Sequence, residues 1–210
     1  MRMRNKPWAM EFLNENSNIV DTDGSYSGRI GDFFPESRPL HIEVGTGMGT
    51  FITELAARNP HINYVGIELD KNVMIRVVEK ILEAELDNVR LLLLDAREID
   101  TYFHKDEVER IYLNFSDPWP KNRHEKRRLT HETFLSKYRS ILAEEGLVQF
   151  KTDNRGLFEY SLGSLNNFGM VFHEVKLDLH ADEPEDNIRT EYEDKFSAKG
   201  NKIYRLKASF

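Results

Sequence analysis

From Leu40 onward the chain alternates short apolar runs with longer amphipathic stretches. Leu40–Val44 reads as a buried strand. Thr50–Arg58 has helical spacing and stops at Asn59 and Pro60. Asn63–Glu68 predicts a second strand. Val73, Met74, Val77, Val78, Ile81 and Leu82 recur at helical intervals, so a helix is expected from Lys71 to about Leu86. Asn88–Asp95 is a nearly continuous apolar strand of the kind buried on both faces. Strands over Val108–Asn114 and Gly146–Thr152 follow, with helices over about Thr130–Ala143 and Asn154–Asn166. Val171–Leu179 and Ile203–Ala208 read as the last two strands, separated only by an acidic loop from about His180 to Gly200.

Strands that alternate with helices give an open, doubly wound, mostly parallel sheet. The last two strands have no helix between them and are expected to pair antiparallel. The expected fold class is therefore α/β and Rossmann-like, with a seven-stranded sheet and one antiparallel edge strand. Residues 39–210 form this domain. Residues 1–38 hold turn-rich stretches, Asn14–Asn18 and Asp21–Gly28, and read as a partly irregular N-terminal arm. No internal repeat or low-complexity tract is visible.

A chain of 210 residues suits one such domain. No apolar run approaches membrane-spanning length. The absence of cysteine removes disulfides and thiolate metal sites and fits a cytoplasmic protein. The seven histidines contain no pair spaced four apart, so no metal is expected. The net charge of −7 argues against a protein that coats nucleic acid. It leaves room for a nucleic-acid enzyme with a local basic face.

The turn after the first strand reads Glu43-Val44-Gly45-Thr46-Gly47-Met48-Gly49. Glycines here bring backbone N–H groups close to a ligand. Thr50 stands where the dinucleotide fingerprint wants glycine, and no Gly-Lys-Ser/Thr follows as in a P-loop. Glu68 ends the second strand, where a carboxylate can accept both hydroxyls of a ribose. Asp95 ends the third strand, where an adenine edge could be read. An acid-rich pocket suits a positively charged cofactor without phosphates, which S-adenosylmethionine is. This points to a class I S-adenosylmethionine-dependent methyltransferase core. Singly, Glu43 could be a satisfied strand-end acid, Asp95 a helix cap and the glycines a tight turn.

The stretch Asn114–Arg128 carries the second signal. Asp117 lies between Ser116 and Pro118, and Pro118 and Pro120 stiffen the chain around Trp119. Lys121, Arg123, Lys126, Arg127 and Arg128 follow, with His124 and Glu125 among them. A rigid carboxylate–aromatic corner leading into cations suits reading a base and its phosphates. The bland alternative is a proline-rich turn before a solvated helix start. Trp119 and Tyr192 could each stack on a base or pack in a core.

Asn114-Phe115-Ser116-Asp117-Pro118-Trp119-Pro120-Lys121, His124-x-Lys126-Arg127-Arg128, Thr152-Asp153 and Thr190-Glu191-Tyr192-Glu193-x-Lys195-Phe196 resemble the tRNA (guanine-N7-)-methyltransferases, the bacterial TrmB family. The resemblance runs from about residue 40 to the C-terminus. It implies methyl transfer from S-adenosylmethionine to N7 of the guanosine at position 46 in the tRNA variable loop. It implies cofactor contacts by Glu43, Gly45, Gly47, Gly49, Glu68, Asp95, Ala96, Asn114 and Asp117, with Asp117 the catalytic residue. Lys121, Asp153, Thr190, Glu191, Tyr192 and Glu193 would hold the substrate. Arg123, His124, Glu125, Lys126, Arg127 and Arg128 would contact RNA. A homodimer is the default oligomer. The rival readings are an exocyclic-amine methyltransferase, suggested by Ser116–Trp119, and an RNA-binding protein without turnover.

Overall fold

The computed structural model describes residues 5–210. Two compact units make it up, one reaching His104 and one running from Lys105 to Phe210.

In the first unit, α1 (Ala9–Glu15) and a two-residue strand, β1 (Val20–Asp21), precede β2 (Leu40–Val44), α2 (Thr50–Arg58), β3 (Asn63–Glu68), α3 (Lys71–Glu83) and β4 (Val89–Leu93). The strands run parallel in the order β1-β4-β3-β2. Every residue of β2 is buried, and Ile42, Val65, Ile67, Leu91 and Leu92 form its core with Met74, Val77 and Val78 of α3. The turn-rich arm is more regular than its sequence reads. α1 packs on α3, and β1 adds a strand beside β4. That makes eight strands among the described residues where seven were expected. Two residues are too few for a periodic signal, so β1 could not be read from the sequence.

α3 ends in a Schellman motif. Leu86 N–H donates to the Ile81 carbonyl at 3.1 Å and Glu85 N–H to that of Leu82 at 3.2 Å, with Glu85 left-handed at φ 50°.

The second unit contains β5 (Val108–Asn114), α4 (Glu132–Ile141), β6 (Leu142–Thr152), α5 (Arg155–Asn167), β7 (Val171–Lys176), α6 (Glu191–Ser197) and β8 (Tyr204–Ser209). Its strand order is β5-β6-β8-β7. β5 and β6 are parallel, and β8 runs antiparallel to both β6 and β7. The antiparallel strand thus lies inside the sheet of this unit, and β7 takes the edge. β7 alternates exposed and half-buried residues, as an edge strand does, whereas Arg205, Leu206 and Ala208 of β8 are buried. α6 lies in the acidic segment that reads as loop. Seven residues, six of them charged or hydroxylic, carry no apolar stripe to signal a helix.

Candidate active site

The glycine turn between β2 and α2 is built for close approach. Gly45, Gly47 and Gly49 have φ of 82°, 52° and 82°. A Cβ on Gly49 would stand 2.7 Å from a Val77 methyl, so the turn packs on α3 only as glycine. Gly45 and Gly47 have open space where a Cβ would point, which leaves their backbone accessible to a ligand. Glu68, at the end of β3, organises this turn. Its Oε2 accepts from Gly47 N–H at 3.1 Å, and its Oε1 from Leu69 and Asp70 N–H at 2.9 and 3.0 Å. Burial pushes the Glu68 carboxyl above its ordinary value, against those three donors. Oε1 is thus filled by two donors, while Oε2, with one, keeps acceptor capacity. Leu69 and Met48 beside it are large apolar side chains left 67% and 37% exposed.

Glu43 is buried at the end of β2. Asp95 caps the 3-10 turn Ala96–Thr101 through Arg97 N–H at 2.9 Å and forms a two-pronged pair with the Arg97 guanidinium. That pair holds its pKa below the usual carboxylate value. Ala96, next to it, is half-buried. The open glycine backbone, an acceptor carboxylate and exposed apolar side chains fit a nucleoside with an apolar base face and ribose hydroxyls.

In the second unit, Asn114 pairs with Lys151 across β5 and β6, so Asp117 and Asp153 follow neighbouring strand ends. The corner between them is strained. Phe115 and Trp119 both have positive φ, 50° and 40°, which is rare for aromatic residues. The Phe115 N–H donates to the Lys151 carbonyl at 2.8 Å. The Tyr192 ring lies 5.0 Å from that of Phe115 and stacks on Phe196 at 4.1 Å. Burial first, then the negative charges of Asp153 and Asp117, raise the Tyr192 pKa. Asp153 also accepts from Asn201 Nδ2 at 3.1 Å. Asp117, Asp153 and Tyr192 therefore share one solvent-facing cluster beside Phe115. Asn114 itself is buried.

The basic stretch divides. Lys121, Arg123, Lys126 and Arg127 are exposed along the 3-10 turn Asn122–Arg127, and among the described residues they form no ion pair. The Arg127 guanidinium lies 4.7 Å from the Trp119 ring centroid, and His124 meets that ring edge-on at 5.6 Å. Trp119 is half-buried. Arg128 turns inward: it is 9% exposed, bonds the Trp119 carbonyl and lies 4.2 Å from the Tyr160 ring centroid. Glu125 contacts the Tyr160 hydroxyl.

The Methyltransf_4 family model, described as "Putative methyltransferase", matches residues 37–206. A tRNA (guanine-N(7)-)-methyltransferase of Macrococcus caseolyticus is 58% identical over 210 residues, the full length of both chains. One from Staphylococcus carnosus is 56% identical, again over both full lengths. The chain belongs to the tRNA (guanine-N7-)-methyltransferase family. A solved antibiotic-related methyltransferase aligns with TM-score 0.64 at 21% identity, over 87% of this chain and 94% of that one. The 16S rRNA methyltransferase KamB aligns with TM-score 0.63 at 13% identity, over 86% and 91%. The fold is thus the α/β, Rossmann-like fold of the S-adenosylmethionine-dependent methyltransferases. Among the described residues, no helix is long and apolar enough to cross a membrane.

Within this family frame, residues quoted in one motif part company. Tyr192 and Glu191 are exposed on α6. Thr190 caps that helix, accepting from Glu193 N–H at 3.0 Å. Glu193 is wholly buried, in an ion pair with Lys151. Leu69, Met48, Phe115 and Lys151 receive no role from the motifs. Leu69 had a usable signal, an apolar residue directly after the ribose-type acid. Lys151 had none, because its partner is 42 positions away.

Proposed function

We propose that this protein transfers a methyl group from S-adenosylmethionine to N7 of a guanosine in the tRNA variable loop. The carrying observation is the cluster of Asp117, Asp153 and Tyr192 beside the strained Phe115 corner. Two carboxylates around an aromatic ring suit a base that gains positive charge. Guanine N7 has a lone pair and no proton, so no general base is needed. The work is positioning and charge stabilisation.

When bound, S-adenosylmethionine supplies an electrophilic methyl on a sulfonium. Glu68 would accept a ribose hydroxyl through Oε2, the side-chain-free Gly45 and Gly47 would let the cofactor approach closely, and Leu69 would cover an adenine face. Asp95 would meet the adenine edge once Arg97 swings away. Glu43, Ala96 and Asn114 keep the cofactor contacts the family implies. Asp117 would stabilise charge developing on the guanine ring. A carboxylate of the cluster would also accept from N1–H and the 2-amino group, selecting guanine over adenine. Lys121 suits O6 or a phosphate. Arg123, Lys126 and Arg127 suit the tRNA backbone, since with Lys121 they are the cations of this stretch left exposed. N7 lies in the deep groove of A-form RNA, so the base must be reached in a loop or drawn from its stack. The methyltransferase domain of this reading is residues 39–210.

The test is methyl transfer to an unmodified tRNA transcript, followed by digestion and mass spectrometry. N7-methylguanosine at the variable loop is expected. A product methylated on an exocyclic amine, or none, would overturn the proposal.

A further inference from the structure

α6 is seven residues long, too short to be stable alone. Its buried residue is a charged one, Glu193, and no apolar side chain of the helix is buried. The buried anchor of the helix is therefore an ionic one. Lys151 and Glu193 each show 0% side-chain exposure and form an ion pair. Lys151 Nζ also donates to the Ile188 carbonyl at 2.8 Å and to Asn187 Oδ1 at 3.1 Å. Glu193 Oε1 accepts from Asn187 Nδ2 at 3.1 Å and lies 2.8 Å from His180 Nε2. The pair is thus hydrogen-bonded on both sides, the condition under which a buried pair is tolerable. Lys151 grips the site twice. Its carbonyl holds the N–H of Phe115, and its ammonium holds the helix whose Tyr192 rests on the Phe115 ring.

We propose that Lys151 and Glu193 are positioning residues for methyl transfer: their buried pair latches α6 to the end of β6 and fixes Tyr192 against Phe115 and Asp153. This rests on the guanosine-site reading of that cluster. An apolar pair of similar size could fill the space but would not set the direction of the helix.

Two variants test it, Glu193→Gln and the double variant Lys151→Met/Glu193→Leu. The double variant leaves no buried charge of the pair alone and is read where the single one does not fold. Three measurements are made on each: S-adenosylmethionine affinity, trypsin cleavage after Arg189 and Lys195, and single-turnover methylation of tRNA at saturating cofactor. Cofactor affinity should stay within about twofold of the parent. Cleavage should accelerate, and the single-turnover rate should fall on the order of a hundredfold, as for a small misplacement of a reacting pair. A folded variant with the parent rate overturns the proposal, whatever its cleavage pattern. So does a loss of rate with α6 as protected as in the parent. Should the parent itself not methylate tRNA, the functional reading fails, while the cleavage measurement still decides whether the latch exists.

Discussion

Arg128 holds the main chain of Trp119: its Nε and Nη2 reach the Trp119 carbonyl oxygen at 3.3 and 3.1 Å. The contact fixes a residue whose φ is 40°. It also separates Arg128 from its exposed neighbours, so the cations of one stretch should behave differently.

Arg128→Ala is expected to destabilise the fold by about 1.5–3 kcal/mol, the usual worth of hydrogen bonds from a charged group. Arg123→Ala with Lys126→Ala should leave the melting temperature unchanged. That pair should weaken tRNA binding and lower the log–log salt slope by about one per lost phosphate contact. Melting curves and salt titrations of the two variants check this. Arg128→Ala melting like the parent with a reduced salt slope would return Arg128 to the RNA surface.

Glu68 should make cofactor binding pH-sensitive. Burial raises its pKa above the ordinary 4.5, despite donors from Asp70, Gly47 and Leu69. On acidification the carboxylate therefore protonates above that value, and affinity for S-adenosylmethionine should fall from there downward. The folded state binds the extra proton, so this group's contribution to stability falls as pH rises from 4.5 through the raised pKa. Glu68→Gln should bind the cofactor more weakly and with no such pH step. Calorimetry across the acid range decides; a step that persists in Glu68→Gln belongs to another group.

Asp117→Asn should fold and bind tRNA but lose about a hundred- to thousandfold in the chemical step, as for removal of one electrostatic stabiliser. Because N7 has no proton to lose, the parent's single-turnover rate should be flat from neutral pH upward. A rate climbing tenfold per pH unit between about 6 and 8 would instead indicate a general base. That outcome favours an exocyclic amine as the acceptor.

Glu85→Gly tests a backbone feature away from the site. Glu85 is left-handed at φ 50° at the end of α3. Glycine removes that penalty at some cost in chain entropy, for a net gain of about 0.5–1 kcal/mol. Denaturant titration should show a higher midpoint with unchanged slope. A lower midpoint would mean that the Glu85 side chain stabilises the fold.

The apolar patterns of 40–95 and 108–166 determined β2 to β6 and α2 to α5, because an element that buries a face must repeat its apolar residues at its own period. The places of the glycine turn and of Glu68 were legible for a related reason: each depends on neighbours in sequence, a strand end followed by a helix start. Tertiary structure alone decided which members of each motif face solvent. Arg127 and Arg128 are adjacent and identical in type, yet one is exposed and the other lies against Tyr160. Tyr192 and Glu193 are adjacent, yet one is exposed and the other is sealed against Lys151. Whether a charge is solvated or paired depends on which distant element covers it. Local pattern records the period of burial along an element, but not the partner that a folded chain brings to a particular side chain.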